Sequence, residues 1–413
     1  MVTRETCWEP FHAIINGATL KFMLGKTPNF AALSSSLESK YFRRVSMSSS
    51  DAELMAKTLR VAILGYGLAG AVFHAPLIAS TPGMTVAAIV TGHPTRQERA
   101  RHDFPTARVL PTADDLWHDP SAYDLVVVAT PNRTHVPLGI AAMKAGLPVV
   151  VDKPMAASIA DAEQLIATSN SAGKLLSVFQ NRRWDNDFLT IRQLLSTDLD
   201  LLGPLTRFES RYERYRAVPR PGAWRELPAH EEAGGLLYDL GSHLIDQALQ
   251  LFGKPIRVYA EVDRRRPGAE VDDDTFVALE FGRGVRAHLW MSVIVRIPGP
   301  RVRISGLRGT YEKWGMDPQE DALRAGMRPG VPGWGLEPRE RWGRLSTEIS
   351  GVGIDSPIET LPGAYEQYYA LLRDALMTDG PPPVNPADVV DTLRVIEAAQ
   401  RSAQMNAIVD MNV

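Results

Sequence analysis

From Leu59 onward the chain alternates short apolar runs with segments whose apolar residues recur every three or four positions. The runs fall at 59–65, 84–90, 107–110, 124–130, 147–152 and 174–180, and each would pass through the middle of a sheet. Helical periodicity lies between them, including 135–145 and a helix opened by the capping arrangement Ser158-x-x-Asp161. This alternation predicts a doubly wound parallel sheet. After about residue 180 the pattern changes to a helix near 187–197, an alternating segment at 205–215 and a helix at 241–252 ended by Gly253-Lys254-Pro255. Strand candidates follow at 256–265, 274–282, 285–294 and 301–314. Consecutive strands joined by short turns predict a large, open, mainly antiparallel sheet, so the second half is α+β. Two helices close the chain, one near 365–378 stopped by Gly380-Pro381-Pro382-Pro383, the other opened by Asn385 as N-cap and Pro386 at the first helical position.

The first fifty-odd residues lack such a pattern. They are Ser-rich with few acids, and are expected to be a poorly ordered or targeting-like extension; alternatively Met47 is the working start. The expected division is therefore 1–57 as extension, 58–178 as a nucleotide-binding domain and 179–413 as a substrate-binding and oligomerisation domain.

Composition narrows the partners. A net charge of −3 over 413 residues offers no basic field for nucleic acid, and no apolar stretch approaches the roughly 20 residues that span a bilayer. Cys7 is the only cysteine, which rules out an intramolecular disulfide and a cysteine-rich metal site, and fits a reducing, cytoplasmic setting. The extension leaves organelle targeting open.

The first apolar run ends in Gly65-Tyr66-Gly67-Leu68-Ala69-Gly70, a Gly-x-Gly-x-x-Gly loop at the start of a helix. Gly65 allows a tight turn, Gly67 lets backbone N–H groups approach a pyrophosphate, and Gly70 permits close helix–strand packing. The alternative is a plain tight turn. An acid about 20 residues on, which would bind the ribose of NAD, is missing: no Asp or Glu occurs between Thr58 and Gln97. The second run instead ends in Thr91-Gly92-His93-Pro94-Thr95-Arg96. Thr91 leaves room for a 2′-phosphate and Arg96 can pair with it, so NADP is expected over NAD, unless Arg96 is only a solvated loop residue.

Three clusters carry candidate chemistry. Thr130-Pro131-Asn132-Arg133-Thr134-His135 follows the fourth run, at the sheet edge where ligands bind in open α/β folds. Asp152-Lys153-Pro154 follows the fifth, where the ammonium could hold the oxygen of a carbon being oxidised or reduced. Tyr238-Asp239-Leu240-Gly241-Ser242-His243 opens an amphipathic helix, with Asp246 one turn further. Asp239 and His243 on one face would make a carboxylate-assisted base; a helix cap with a satisfied histidine is the plainer reading. No further His or Cys completes a metal site, so none is expected.

Together with Phe73-His74-Ala75-Pro76 and the run Gln180-Asn181-Arg182-Arg183-Trp184-Asp185, these residues resemble the Gfo/Idh/MocA oxidoreductases over about 58–405, nearest the NADP-dependent scyllo-inositol 2-dehydrogenase-like branch. The resemblance implies a Rossmann domain, a homo-oligomer (dimer or tetramer) joined through the C-terminal sheet, and reversible hydride transfer between a cyclic polyol or sugar CH–OH and the nicotinamide. His243 would take the hydroxyl proton, Lys153 would hold the same oxygen, and Asp239 would orient both. Arg182 and Asp246 would bind further hydroxyls, with Tyr212, Arg214 and Trp224 as contributors. Asp152 stands where glutamate is commoner in the family. Two alternatives are a dehydrogenase of another sugar or inositol isomer and a non-catalytic NADP-binding regulator.

Overall fold

The computed structural model describes residues 57–219 and 226–411. The readings made for the N-terminal extension and for Trp224 fall outside them. In the first half, β1 (Leu59–Leu64), β2 (Met84–Val90), β3 (Arg108–Leu110), β4 (Leu125–Val128), β5 (Val149–Val151) and β6 (Leu176–Val178) form a parallel sheet in the order β3-β2-β1-β4-β5-β6. β4 and β5 are buried along their whole length, which is why they read as unbroken valine-rich runs. A π-helical turn, Ala69–His74, leads into α1 (Ala75–Ala79), and α2 (Pro94–Asp103), α3 (Asp114–Trp117), α4 (His135–Lys144) and α5 (Ile159–Ala172) follow. Ser158 caps α5, its hydroxyl accepting the Asp161 N–H at 3.1 Å. Strand order reverses between β1 and β4, so a crevice opens between the loops that follow them.

The second half supplies β7 (Leu205–Glu213), β8 (Arg257–Asp263), β9 (Asp274–Glu280), β10 (Arg286–Ser292), β11 (Val302–Gly306), β12 (Thr310–Lys313), β13 (Gly343–Ile349), β14 (Val352–Ile358) and β15 (Val409–Asp410). They form a sheet in the order β14-β13-β12-β11-β7-β10-β9-β8-β15. It is antiparallel except for the central β7–β10 pair, which runs parallel. Its helices are α6 (Asn186–Ser196), α7 (Ser242–Phe252), α8 (Gln319–Arg324), α9 (Glu366–Thr378) and α10 (Pro386–Met405). α7 and α10 pack on the inner face of this sheet, and Asn385 caps α10 as expected.

Two departures from the expected strands have local causes. Residues 301–314 are a hairpin rather than one strand, because the chain turns at Gly306–Gly309, where a Cβ on Gly306 would lie 2.1 Å from the Leu202 carbonyl oxygen. β13 and β14, which were not anticipated, pair through Ser350-Gly351, with both residues at positive φ. That turn geometry matches the twist of a hairpin. Its second strand is mostly exposed and so has little hydrophobic pattern to betray it.

Candidate active site

The tight turn at Gly65 and the close packing at Gly70 are both present in the loop. Gly65 adopts φ +98°, and a Cβ there would lie 2.4 Å from the Ala129 carbonyl oxygen across the crevice. At Gly70 a Cβ would meet the Gly65 carbonyl oxygen at 2.0 Å. Gly67 differs: the nearest atom to a Cβ would be Arg96 Nη1 at 3.8 Å, so the protein's own packing does not demand glycine there. The open cradle over Gly67 fits a dinucleotide pyrophosphate. Thr91 is buried at the end of β2, and Arg96 lies in the first turn of α2 rather than in a loop, reaching back over Gly67. α2 carries no acid in its first turn, so its positive end faces the same space as the guanidinium. The Tyr66 side chain is buried and its hydroxyl donates to Asp103 at 2.9 Å, which leaves only its backbone for the cradle. Leu68 is 40% exposed at the rim and Ala69 opens the π turn.

Across the crevice, the loop after β4 is tied down by side chains. His135 is buried with Nδ1 2.9 Å from the Pro154 carbonyl and Nε2 2.9 Å from the Thr130 carbonyl, so it fastens two loops of the sheet edge together. Burial holds its pKa below the ordinary value. Thr130 Oγ1 accepts from the Thr134 hydroxyl at 2.7 Å, and Pro131 caps the short turn that follows. Asn132 donates to the Glu232 carbonyl at 2.6 Å, and Arg133 pairs with the Glu232 carboxylate, linking this loop to the second half.

Lys153 leaves β5 and crosses to the second half. Its ammonium donates to Asp239 Oδ1 at 2.8 Å and to the Asp239 carbonyl at 2.7 Å. Asp239 sits in a π-helical turn, Leu237–Gly241, that runs into α7, which carries His243. The wider turn alters the simple four-residue register on which the carboxylate–imidazole reading rested. Asp239 Oδ1 is engaged by Lys153, while His243 Nδ1 is buried without a hydrogen-bond partner. Burial pushes the His243 pKa well below its usual value; Lys153, Arg182 and Arg301 push the same way, and Asp239 opposes them. These influences favour the neutral imidazole, the form that can accept a proton.

The floor around His243 is a charge-matched network. Tyr212, on β7, meets the His243 ring edge-on at 6.5 Å between centroids, and its hydroxyl accepts from Arg301 Nη2 at 3.0 Å. Arg182 lies over the Tyr212 ring at 5.2 Å and donates to Glu320 at 2.8 Å, Tyr365 at 3.3 Å and Asp185 at 3.4 Å, with Nε left unpartnered. Arg301 is paired with Asp187 at 3.2 Å. Asp246 faces the other way: Arg183 grips both its oxygens, at 2.9 and 2.6 Å, in a buried pair. Arg214 lies exposed at the end of β7. The structure thus brings together Lys153, Asp239, His243, Arg182 and Tyr212. Arg301, Glu320 and Tyr365 escaped sequence reasoning, because their partners come from distant stretches of chain and no local spacing marks them; Asp185, three residues after Arg182, stood in the quoted run but was given no role. Asp152 Oδ1 accepts the Lys153 N–H at 2.8 Å; burial works to raise its pKa, but His74, His135 and Lys153 together hold it below the usual carboxylate range. Among the described residues no group of three or more His, Cys, Asp or Glu is placed to hold a metal, and no helix is long and apolar enough to cross a membrane.

The model of the oxidoreductase family's NAD-binding Rossmann fold matches residues 59–180, and that of the family's C-terminal alpha/beta domain matches 199–411. The chain is 40% identical over 350 residues to the Bacillus subtilis scyllo-inositol 2-dehydrogenase (NADP(+)) IolW, covering 84% of this chain and 94% of that protein. It is 39% identical over 353 residues to the uncharacterized oxidoreductase YdgJ of Escherichia coli, covering 86% and 99%. The solved structure of the Bacillus subtilis oxidoreductase yvaA superposes with a TM-score of 0.81 at 38% identity, over 86% of this chain and 99% of that one. With the glycine cradle, the Rossmann sheet and the large mixed sheet all accounted for, the chain belongs to the Gfo/Idh/MocA family and is an NAD(P)-binding oxidoreductase of the class that acts on CH–OH groups.

Proposed function

We propose that the protein is an NADP(H)-dependent dehydrogenase of a neutral cyclic polyol, with scyllo-inositol as the first candidate. The observation that carries this reading is the contact of Lys153 with Asp239 at 2.8 Å, which draws the end of β5 onto the turn that leads into α7 and His243. Each cation around His243 has a carboxylate: Lys153 has Asp239, Arg182 has Asp185 and Glu320, and Arg301 has Asp187. A site so balanced favours a substrate that offers many hydroxyls and no net charge, and the name of IolW supplies the specific candidate.

When bound, the nicotinamide accepts or donates the hydride. In the oxidation direction the substrate C–H electron pair leaves as hydride, the hydroxyl proton passes to the His243 imidazole, and a ketone remains. Lys153 holds the reacting oxygen, stabilising its developing negative charge. Asp239 keeps that ammonium in place and favours the imidazolium that forms. Arg182 and Tyr212 line the hydroxyl-binding floor, and Thr91, Arg96 and the positive end of α2 favour NADP over NAD.

The test is purified protein with NADP or NAD and a panel of inositol isomers and sugars, read by absorbance of the reduced nicotinamide. The expected result is turnover of scyllo-inositol with NADP preferred. Preference for another isomer or an aldose would keep the mechanism and replace the substrate; absence of turnover across the panel would overturn the dehydrogenase reading. Arg96→Ala should weaken NADPH binding about tenfold and leave NADH binding within about twofold, since a charge-assisted contact to phosphate is worth roughly 1.5–3 kcal/mol. Equal losses for both cofactors would remove Arg96 from the argument. We also assign self-association to the outer face of the second sheet, and keep residues 58–178 and 179–413 as the cofactor and substrate domains.

A further inference from the structure

The motif Phe73-His74-Ala75-Pro76 takes no part in the chemistry above, yet His74 is completely buried. It closes the π turn that follows the glycine loop, with its ring against Phe179 at 4.3 Å between centroids. His74 Nδ1 lies 2.6 Å from the Tyr369 hydroxyl on α9. Nε2 has no hydrogen-bond partner, and the charged atom beside it is Asp152 Oδ1 at 3.7 Å. That separation is too long for a hydrogen bond, but across a buried gap the positive end of an Nε2–H dipole would face the carboxylate. Asp152 in turn stands at the carboxyl end of β5, next to Lys153, with 18% of its side chain open to the cleft.

The chemistry of the three groups fixes their direction. An ionised carboxylate can only accept, so the proton of a neutral imidazole belongs on Nε2, and Nδ1 must then accept from the Tyr369 hydroxyl. Tyr369 is fully buried, and burial lifts its pKa well above the ordinary value, so it stays a donor. A chain of donors thus runs from α9 through the π turn to the acid at the cleft.

We propose that His74 is a positioning residue for cofactor binding, which together with Tyr369 holds the Asp152 carboxylate at the cleft beside Lys153 as an acceptor for a ribose hydroxyl of the dinucleotide. The proposal rests on the dinucleotide reading of the glycine loop. It assigns His74 no contact with substrate or cofactor; its effect is carried by the one carboxylate it faces. Around metal ligands, removing such an outer partner typically costs roughly 10–100-fold in affinity, and His74 stands to Asp152 in the same relation.

NADPH binding, followed by nicotinamide fluorescence in the absence of substrate, tests this without turnover. His74→Phe, which keeps a flat ring and removes both nitrogens, should raise the dissociation constant about tenfold, as should Asp152→Asn. The double variant should be weaker than either single by no more than about twofold, because both remove the same interaction. His74→Gln, whose amide nitrogen reaches the Nε2 position, should recover affinity to within about threefold of the unmutated protein. Tyr369→Phe should cost about threefold and keeps the test available if phenylalanine at 74 does not fold. Losses that multiply to about a hundredfold in the double variant would overturn the proposal, as would affinity unchanged in His74→Phe or Tyr369→Phe. An unmutated protein that binds neither NADPH nor NADH would instead remove the dinucleotide reading on which it stands.

Discussion

In the proposed mechanism His243 takes a proton while facing three cations, and the sign of each neighbour's influence can be tested. Burial and the charges of Lys153, Arg182 and Arg301 lower its pKa, while Asp239 raises it. In the oxidation direction the neutral imidazole is the active form, so the acidic limb of kcat/KM should fall below the usual histidine pKa of about 6.5. Lys153→Met removes a repelling charge and should move that limb up. Asp239→Asn removes the attracting one and should move it down. Lys153→Ala and His243→Ala should each lower turnover by about 10²–10⁴-fold while NADPH binding stays nearly intact. Nearly full turnover by His243→Ala across the pH range would return the Asp239–His243 spacing to a helix cap. Lys153 and His243 were legible in the sequence because each interrupts an otherwise apolar pattern, one at a strand end and one on an amphipathic helix. Arg301 was not, since an arginine at the edge of a strand candidate looks like any solvated strand-end residue until Asp187, Tyr212 and Gln247 are folded around it.

At the scale of elements, the glycine loop separates folding from binding. Gly65→Ala sets a side chain at φ +98° and against the Ala129 carbonyl, and Gly70→Ala drives a Cβ to 2.0 Å from the Gly65 carbonyl oxygen. Each should cost about 1–3 kcal/mol of stability, seen as a lower midpoint of denaturant unfolding. Gly67→Ala meets only Arg96 Nη1 at an ordinary 3.8 Å, so its unfolding midpoint should barely move while NADPH affinity falls. A large loss of stability in Gly67→Ala, with affinity unchanged, would make the loop a simple turn. The central parallel strands were readable because their valine- and isoleucine-rich runs are buried on both faces, as in β1, β2, β4 and β5. The hairpin of β13 and β14 was not, because β13 puts Gly343 and Thr347 at two of its alternating buried positions and β14 is largely exposed, leaving a Ser-Gly turn as the main signal.

For the whole molecule, the sequence separates the two halves by their patterns but does not say how they meet; buried contacts between distant residues, such as Lys153 with Asp239 and Asn132 with the Glu232 carbonyl, join them. It is similarly silent on the outer face of the large sheet, where side chains alternate with the buried inner set. There Arg286 stands beside Arg207 in register on the parallel β10–β7 pair, with Arg303 nearby on β11. Like charges side by side on neighbouring strands are destabilising in isolation. At the opposite corner lie Glu261, Asp263 and Asp274, and between the corners Phe276 and Trp290 pack at 5.2 Å with Arg211 over the indole. A two-fold axis through this face would set the acidic corner of one copy over the basic corner of the next, with the aromatic pair near the centre. Light scattering after size-exclusion chromatography should therefore give a mass of two or four chains. Arg286→Glu, which reverses one charge of the basic corner, should shift the population toward single chains, more so at low ionic strength than at high. A single-chain mass for the unmutated protein at micromolar concentration would leave the outer face without a second copy. An unchanged assembly in Arg286→Glu and in Trp290→Asp would move the interface to another surface.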